Sequence, residues 1–293
     1  ALKAWEIFER TVYGVDSYDG TSKNNVINEN PSLSKGYCTG PYFKIKYSRQ
    51  EFEKGVKYLM ENVSELLDNE GFVYDAVDFM RQLLVNATDD YFEVMKLAVE
   101  RLDLEGYRRA KAKFLGAMKL INELAGYSES DRMGKWIGRI YDFISDPRNS
   151  EYDDYSVEMM RINAKALVTS WASSPINNYG NRLYEGLMTD YYIRMWEHFL
   201  DRLENQWINK ERVIINLSAK KCFDIAWEMV LSEKNYSTEV ADPKGNAEHR
   251  GLERIWNQIK SEYLYTEEDR VSGSSYEETY ISAALAAQEK AED

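Results

Sequence analysis

Two histidines and two cysteines in 293 residues leave little from which to build a metal centre. His198 and His249 cannot form a multi-histidine site, Cys38 and Cys222 do not sit at zinc spacing, and no His-Glu-x-x-His run occurs. There is no Gly-rich phosphate loop and no Gly-x-Ser-x-Gly elbow. Nothing calls for a cofactor. Positive charge is in deficit: 37 Lys and Arg face 50 Asp and Glu, a net of −13. Such a surface repels phosphate backbones and anionic leaflets, so no nucleic-acid partner is expected. No apolar run approaches the roughly 18–20 residues of a membrane span. The acidic runs Asp89-Asp90, Asp153-Asp154 and Glu267-Glu268-Asp269 lack the alternating ligands of a calcium loop and read as solvated faces or caps. The cysteines, far apart, are read as free thiols and do not fix the compartment.

What the chain does have is hydrophobic residues, 44% of the total, spaced in helical stripes. Helix is expected over Leu2–Tyr13, stopping at Gly14 as a left-handed cap. From 14 to 47 no period holds, and Asn, Gly, Ser and Pro dominate, apart from a short strand at Phe43–Tyr47; a segment this long is expected to cover a partner surface. Ser48 with Glu51 makes a capping box for a helix to Leu67. Phe72, Ala76, Phe79, Leu83, Ala87, Tyr91, Val94 and Ala98 form the stripe of a helix from Gly71. Further helices are expected over Tyr107–Ala125, Asp131–Ile144, Ser156–Trp171, Gly180–Trp207, Ile215–Leu231, Leu252–Tyr265 and Tyr276–Glu292. A polar linker is expected over Lys234–Gly251. The fold class is all-α: an irregular bundle of about eight to ten helices with a long non-helical segment near its start. Residues 1–265 are expected to form the helical domain and 266–293 a helical extension. The chain opens mid-helix without an initiator Met or signal peptide, as an excised domain would.

The 13% aromatic content, with 22 Tyr and 7 Trp, suits both helical cores and sugar-binding surfaces. Between two helices lies a Ser/Pro/Asn loop holding Trp171, Ile176 and Tyr179, interleaved with Ser173, Ser174, Asn177 and Asn178. Such a loop can present an apolar platform with amide and hydroxyl donors beside it, or simply close the core of the helix pair. No acid or nucleophile can be named: with 50 acidic residues, none sits in a context that singles out the carboxylate pair a glycosidase needs.

The block from Tyr155 to Trp196 carries a family pattern. Asn163-Ala164-Lys165, Thr169, Trp171, the loop ending Asn178-Tyr179-Gly180-Asn181-Arg182, then Gly186-Leu187, Tyr191-Tyr192 and Arg194-x-Trp196 follow in order. Ala4-Trp5, Val12-Tyr13, Pro31-Ser32-Leu33 and the Tyr74-Asp75/Asp78/Arg81-Gln82 helix extend it. The chain resembles the C-terminal helical domain of the α-N-acetylglucosaminidases, glycoside hydrolase family 89. The resemblance implies that a small α/β domain and a (β/α)8-like barrel precede this region. Two glutamates on that barrel would hydrolyse terminal α-linked N-acetylglucosamine with retention, so the catalytic residues are expected outside this chain and the fragment alone is expected to be inactive. It further implies that the helical domain packs on the barrel, with Trp171, Ile176 and Tyr179 as substrate contacts, and that the setting is extracytoplasmic: secreted, periplasmic or lysosomal. Arg81 and Asp78 are expected in a buried polar network. Lys165 replaces the family's Arg and Asn178 its Asp; a Lys cannot reproduce a planar bidentate contact. The other reading is a standalone helical glycan-binding or scaffold module without catalysis.

Overall fold

Two long antiparallel helices form the spine of the molecule, and they form for reasons visible in their ends. The computed structural model describes residues 2–14, 25–33, 47–149, 151–171, 178, 180, 182–247 and 249–264. Helix α4 spans Glu70–Glu100, and its N-cap Asn69 accepts from the Phe72 N–H at 2.9 Å. Helix α5 spans Leu104–Ala125, capped by Asp103 accepting from the Gly106 N–H at 2.8 Å. Each cap satisfies a donor that the helix leaves orphaned. The periodic residues of α4 turn inward, with Ala76, Phe79, Leu83, Ala87 and Ala98 buried, against Phe114, Met118, Ile121 and Leu124 of α5.

Around this hairpin stand α1 (Leu2–Arg10), α2 (Arg49–Leu59), the short α3 (Val63–Leu66), α6 (Met133–Ser145), α7 (Asp154–Leu167), α8 (Arg194–Ile208), α9 (Ala219–Leu231) and α10 (Leu252–Glu262). The architecture is all-α. Among the described residues the β-structure amounts to isolated bridges, Ser32 with Asn216 and Arg132 with Glu185.

Several boundaries differ from those expected, each for a local reason. Helix α1 ends at Arg10, and Gly14 is not in the left-handed region. Its lack of a side chain serves close approach instead, because a Cβ there would run into the Glu9 carbonyl. Ser48 does accept from the Glu51 N–H at 3.2 Å, while the Glu51 carboxylate pairs with Arg10 of α1. The helix expected to reach Leu67 breaks into a 3-10 turn at Met60–Asn62. Helix α9 begins at Ala219, because residues 215–217 pair with 31–33: Leu33 donates to the Ile215 carbonyl and Leu217 to that of Pro31.

The described part of the 14–47 segment is built into this chain's own core. Val26 and Ile27 are buried, and the buried Trp196 indole donates to the Ile27 carbonyl at 3.0 Å. The stretch expected as a linker is likewise stitched down. Ala241 donates to the Gly126 carbonyl, and Arg132 reaches that carbonyl at 2.7 Å and the Ser237 carbonyl at 3.3 Å. Arg81 ties α4 to Asp131 at 2.6 Å and to the Leu183 carbonyl at 3.0 Å, as a network residue should. Asp78, expected beside it, is exposed. Cys222 is a buried free thiol whose pKa burial pushes up to about 12. Cys38, the strand at Phe43–Tyr47 up to its last residue, and the Tyr276–Glu292 helix lie outside the described residues.

Candidate functional site

Helix α7 starts at the N-cap Asp153, which accepts from the Ser156 N–H at 2.8 Å, and runs to Leu167 rather than on to Trp171. Val168, Thr169 and Ser170 are buried, and the chain then reverses at Trp171. Trp171 has φ +49°, a left-handed conformation that is a genuine outlier for a bulky side chain. The Trp171 N–H donates to the Ala166 carbonyl at 2.8 Å, which closes the helix end. The indole is 36% exposed. Strain of this kind persists where surroundings over-determine it, and it concentrates at functional sites.

The surroundings are specific. A Cβ on Gly180 would run into the Leu167 carbonyl and come within 2.8 Å of the Trp171 ring, so the indole lies against a position that only glycine can fill. Asn178, also left-handed at φ +66°, donates its N–H to the Thr169 carbonyl at 2.7 Å and thereby closes the base of the loop. Its side-chain carbonyl accepts from the Tyr191 hydroxyl at 2.8 Å. Tyr191 is fully buried, and that burial raises its pKa well above the ordinary value. Thus Trp171 is held in the described structure; Ile176 and Tyr179 lie outside the described residues.

The chain beyond the loop does not enter a helix at Gly180, as the sequence suggests. Residues 182–185 run extended beside 131–133, with Glu185 donating to the Asp131 carbonyl and Met133 to that of Glu185. Gly186 at φ +87° makes the turn, its N–H held by the Asn122 side chain at 2.9 Å. A π-helical segment, Met188–Ile193, then leads into α8. Such segments often accompany functional sites. This one carries Asp190, which accepts from the Tyr236 hydroxyl at 2.7 Å and pairs with Lys234 at 2.8 Å.

On the other side of the loop, Lys165 is wholly buried and donates to the Ser232 carbonyl at 2.5 Å. Its ammonium lies 5.9 Å from the Tyr236 ring centroid. Desolvation, with Arg161 nearby, lowers its pKa to about 8. Arg161 grips Glu158 through two 2.7 Å bonds and shares the same Ser232 carbonyl. Lys165, at the position where the resemblance leads one to expect Arg, is therefore a bolt between α7 and the residues after α9, meeting the Ser232 carbonyl. The carboxylates around the loop are engaged in such ties: Glu158 with Arg161, Asp190 with Lys234, and Glu185 with Arg132 at 3.4 Å. Among the described residues no group of three or more His, Cys, Asp or Glu is placed to hold a metal ion.

Sequence reasoning missed one surface. Tyr141 and Phe143 on α6, Tyr152 just before α7, and Tyr155 and Met159 on α7 are all exposed, Tyr155 by 70%. Phe143 and Tyr152 meet at 5.6 Å. Tyr155 and Met159 stand one turn apart on the helix that ends beside Trp171, a spacing that would have marked an outward apolar face.

The described residues thus form an all-α body in which a strained, partly exposed Trp171 sits on a loop anchored at Ala166 and Thr169. Comparison with known proteins specifies the family. The family model for the alpha-N-acetylglucosaminidase (NAGLU) C-terminal domain matches residues 1–254, and the chain belongs to this family. Human α-N-acetylglucosaminidase is 22% identical over 249 residues, covering 83% of this chain and 31% of the human protein. Two solved structures of the family 89 glycoside hydrolase from Clostridium perfringens superpose closely. One, a double variant in complex with its substrate GlcNAc-α-1,4-galactose, has a TM-score of 0.79 at 26% identity over 92% of this chain and 30% of that one. The other, in complex with PUGNAc, has a TM-score of 0.77 at 27% identity with the same coverage. The chain thus spans about a third of the length of the relatives it matches. No described helix is long and apolar enough to cross a membrane.

Proposed function

We propose that this chain is the C-terminal helical part of a retaining, exo-acting α-N-acetylglucosaminidase, and that it packs on the catalytic barrel and completes the pocket for terminal α-linked N-acetylglucosamine. Residues 1–265 act as one domain and 266–293 as an extension to it. Trp171, Ile176 and Tyr179 contact the sugar, the hydrolytic carboxylates belong to the barrel, and the enzyme works outside the cytoplasm.

One observation carries this reading: Trp171 is held left-handed and partly exposed on a loop anchored at Ala166 and Thr169. A core-closing tryptophan has no need of that strain, whereas an indole that must meet a ligand in one orientation does. The exposed pair Phe143 and Tyr152, with Tyr155 and Met159 exposed on α7, supplies apolar surface for the barrel, since exposed apolar patches mark interaction sites. Trp171→Ala in the intact enzyme is expected to lower kcat/KM on GlcNAc-α-1,4-galactose by on the order of tenfold, with the melting temperature little changed. Full activity in that variant would contradict the assignment.

A further inference from the structure

A concave site whose lining does not include Trp171 is not used by the reading above. It is a groove of about 820 Å³, floored and walled by Tyr74, Trp136 and Tyr184, with Glu129, Lys135 and Arg139 at its polar side. That volume lies within the range of small-ligand sites. We propose that this groove binds a neutral, pyranose-containing stretch of the glycan, as an auxiliary sugar site of the same enzyme. The proposal rests on the chain being part of a glycan-degrading enzyme.

The walls are pre-organised. Trp136, which lines the groove, donates its indole N–H to the Ala164 carbonyl of α7 at 2.8 Å, so its orientation is fixed. Tyr184 stands with its ring centroid 6.3 Å from that of Trp136, set by the same 182–185 stretch that pairs with 131–133. Tyr74 is 60% exposed on α4. Tyr74 thus offers the open apolar face on which the C–H side of a pyranose can rest, beside the half-buried Trp136, with the buried Tyr184 backing it.

The polar groups favour a sugar over other occupants. Lys135 and Glu129 form an exposed ion pair at 2.5 Å, presenting donors and acceptors together at the rim. The Arg139 guanidinium lies 5.4 Å from the Trp136 ring centroid. Glu70 and Asp142 complete the charged lining, so three carboxylates face two cations. That balance disfavours a sulfated or phosphorylated ligand and suits neutral hydroxyls, which accept from cations and donate to carboxylates. A protein partner would need a broad apolar core, and here the apolar rings are interleaved with five charges.

The test is saturation-transfer NMR with a tryptophan-fluorescence titration of the full 293-residue chain against GlcNAc-α-1,4-galactose. Saturable binding is expected, weakened on the order of fivefold by Tyr74→Ala, whose exposed ring the fold does not need. Ile208→Ala, at the exposed end of α8 and outside the groove, should leave it within about twofold. No saturation up to about 10 mM would overturn the proposal. So would binding that Trp171→Ala abolishes and Tyr74→Ala does not touch; that result would place the sugar at the loop and leave the proposed function standing. Loss of catalytic-domain association on Tyr74→Ala would make the groove a domain contact, and equally overturn the sugar site. Hydrolysis of the same disaccharide by intact enzyme carrying Trp171→Ala tests the proposed function separately.

Discussion

Trp196 and Trp171 lie 25 positions apart in one sequence pattern, yet the structure uses them in opposite ways. Trp196 is fully buried, edge-on to Phe92, Phe114 and Phe199, with ring centroids at 6.0, 4.9 and 6.0 Å, and its indole holds the Ile27 carbonyl. Its backbone is ordinary helix. Trp171 is partly exposed, left-handed, and wedged against a glycine. The first region stabilises the fold, and the second draws on that stability to hold one ring in place. Substitutions should separate the two.

The largest effect on stability is expected at the core. Trp196→Ala removes a ring from three aromatic contacts and leaves a buried carbonyl unpaired, which should cost about 3–5 kcal/mol by chemical denaturation. Gly180→Ala comes next. The added methyl collides with the Leu167 carbonyl and the Trp171 ring, so a loss of roughly 1–3 kcal/mol is expected, with a shift in tryptophan emission as the indole is displaced. An unchanged spectrum would mean that the ring is not held by this contact.

A third prediction uses pH to probe the scaffold side. Asp89 on α4 faces Arg49, Asp90, Glu93 and the Val26 N–H, and burial raises its pKa to about 7 despite the pull of Arg49. Below about pH 4 it is protonated in both folded and unfolded chains. Between about 4 and 7 the unfolded chain releases the proton first, so stability falls as pH rises and levels off above about 7. Asp89→Asn should flatten that slope, by on the order of 2 kcal/mol across the window in urea titrations. A slope that survives the substitution would have another source.

The smallest stability effect is expected where the functional effect is large. Trp171→Gly relieves the left-handed strain while losing part of the ring's burial, and the two should cancel to within about 1 kcal/mol. A loss as large as that of Trp196→Ala would erase the contrast between the regions.

The same contrast explains what could be read from the residues. Along α4 and α5 the apolar spacing locates the helices, although it understates the burial of α4, where 83–88 are buried all round the helix. The loop was legible as a place, through Trp171 and its Ser/Pro/Asn surroundings, but not as a geometry. Helix α7 stops at Leu167 because the Trp171 and Asn178 amides bind carbonyls within its last turn and just beyond, a pairing with no periodic signature. The stretch from 182 to 193 reads as helix, yet it is extended and then π-helical because Asp131, Asn122 and Tyr236 hold it, all distant in sequence. The burial of 25–33 was hidden for the same reason: its partners are Ile215 and Trp196.

The central claim is that this domain completes the active site of a barrel it does not contain. The most direct test is to express the catalytic portion of the native polypeptide without this chain and assay hydrolysis of GlcNAc-α-1,4-galactose, alone and with the chain added back. The account predicts no hydrolysis by this chain alone, weak hydrolysis by the catalytic portion alone, and recovery on mixing that Trp171→Ala diminishes. Full activity of the catalytic portion by itself, or hydrolysis by this chain alone, would contradict it.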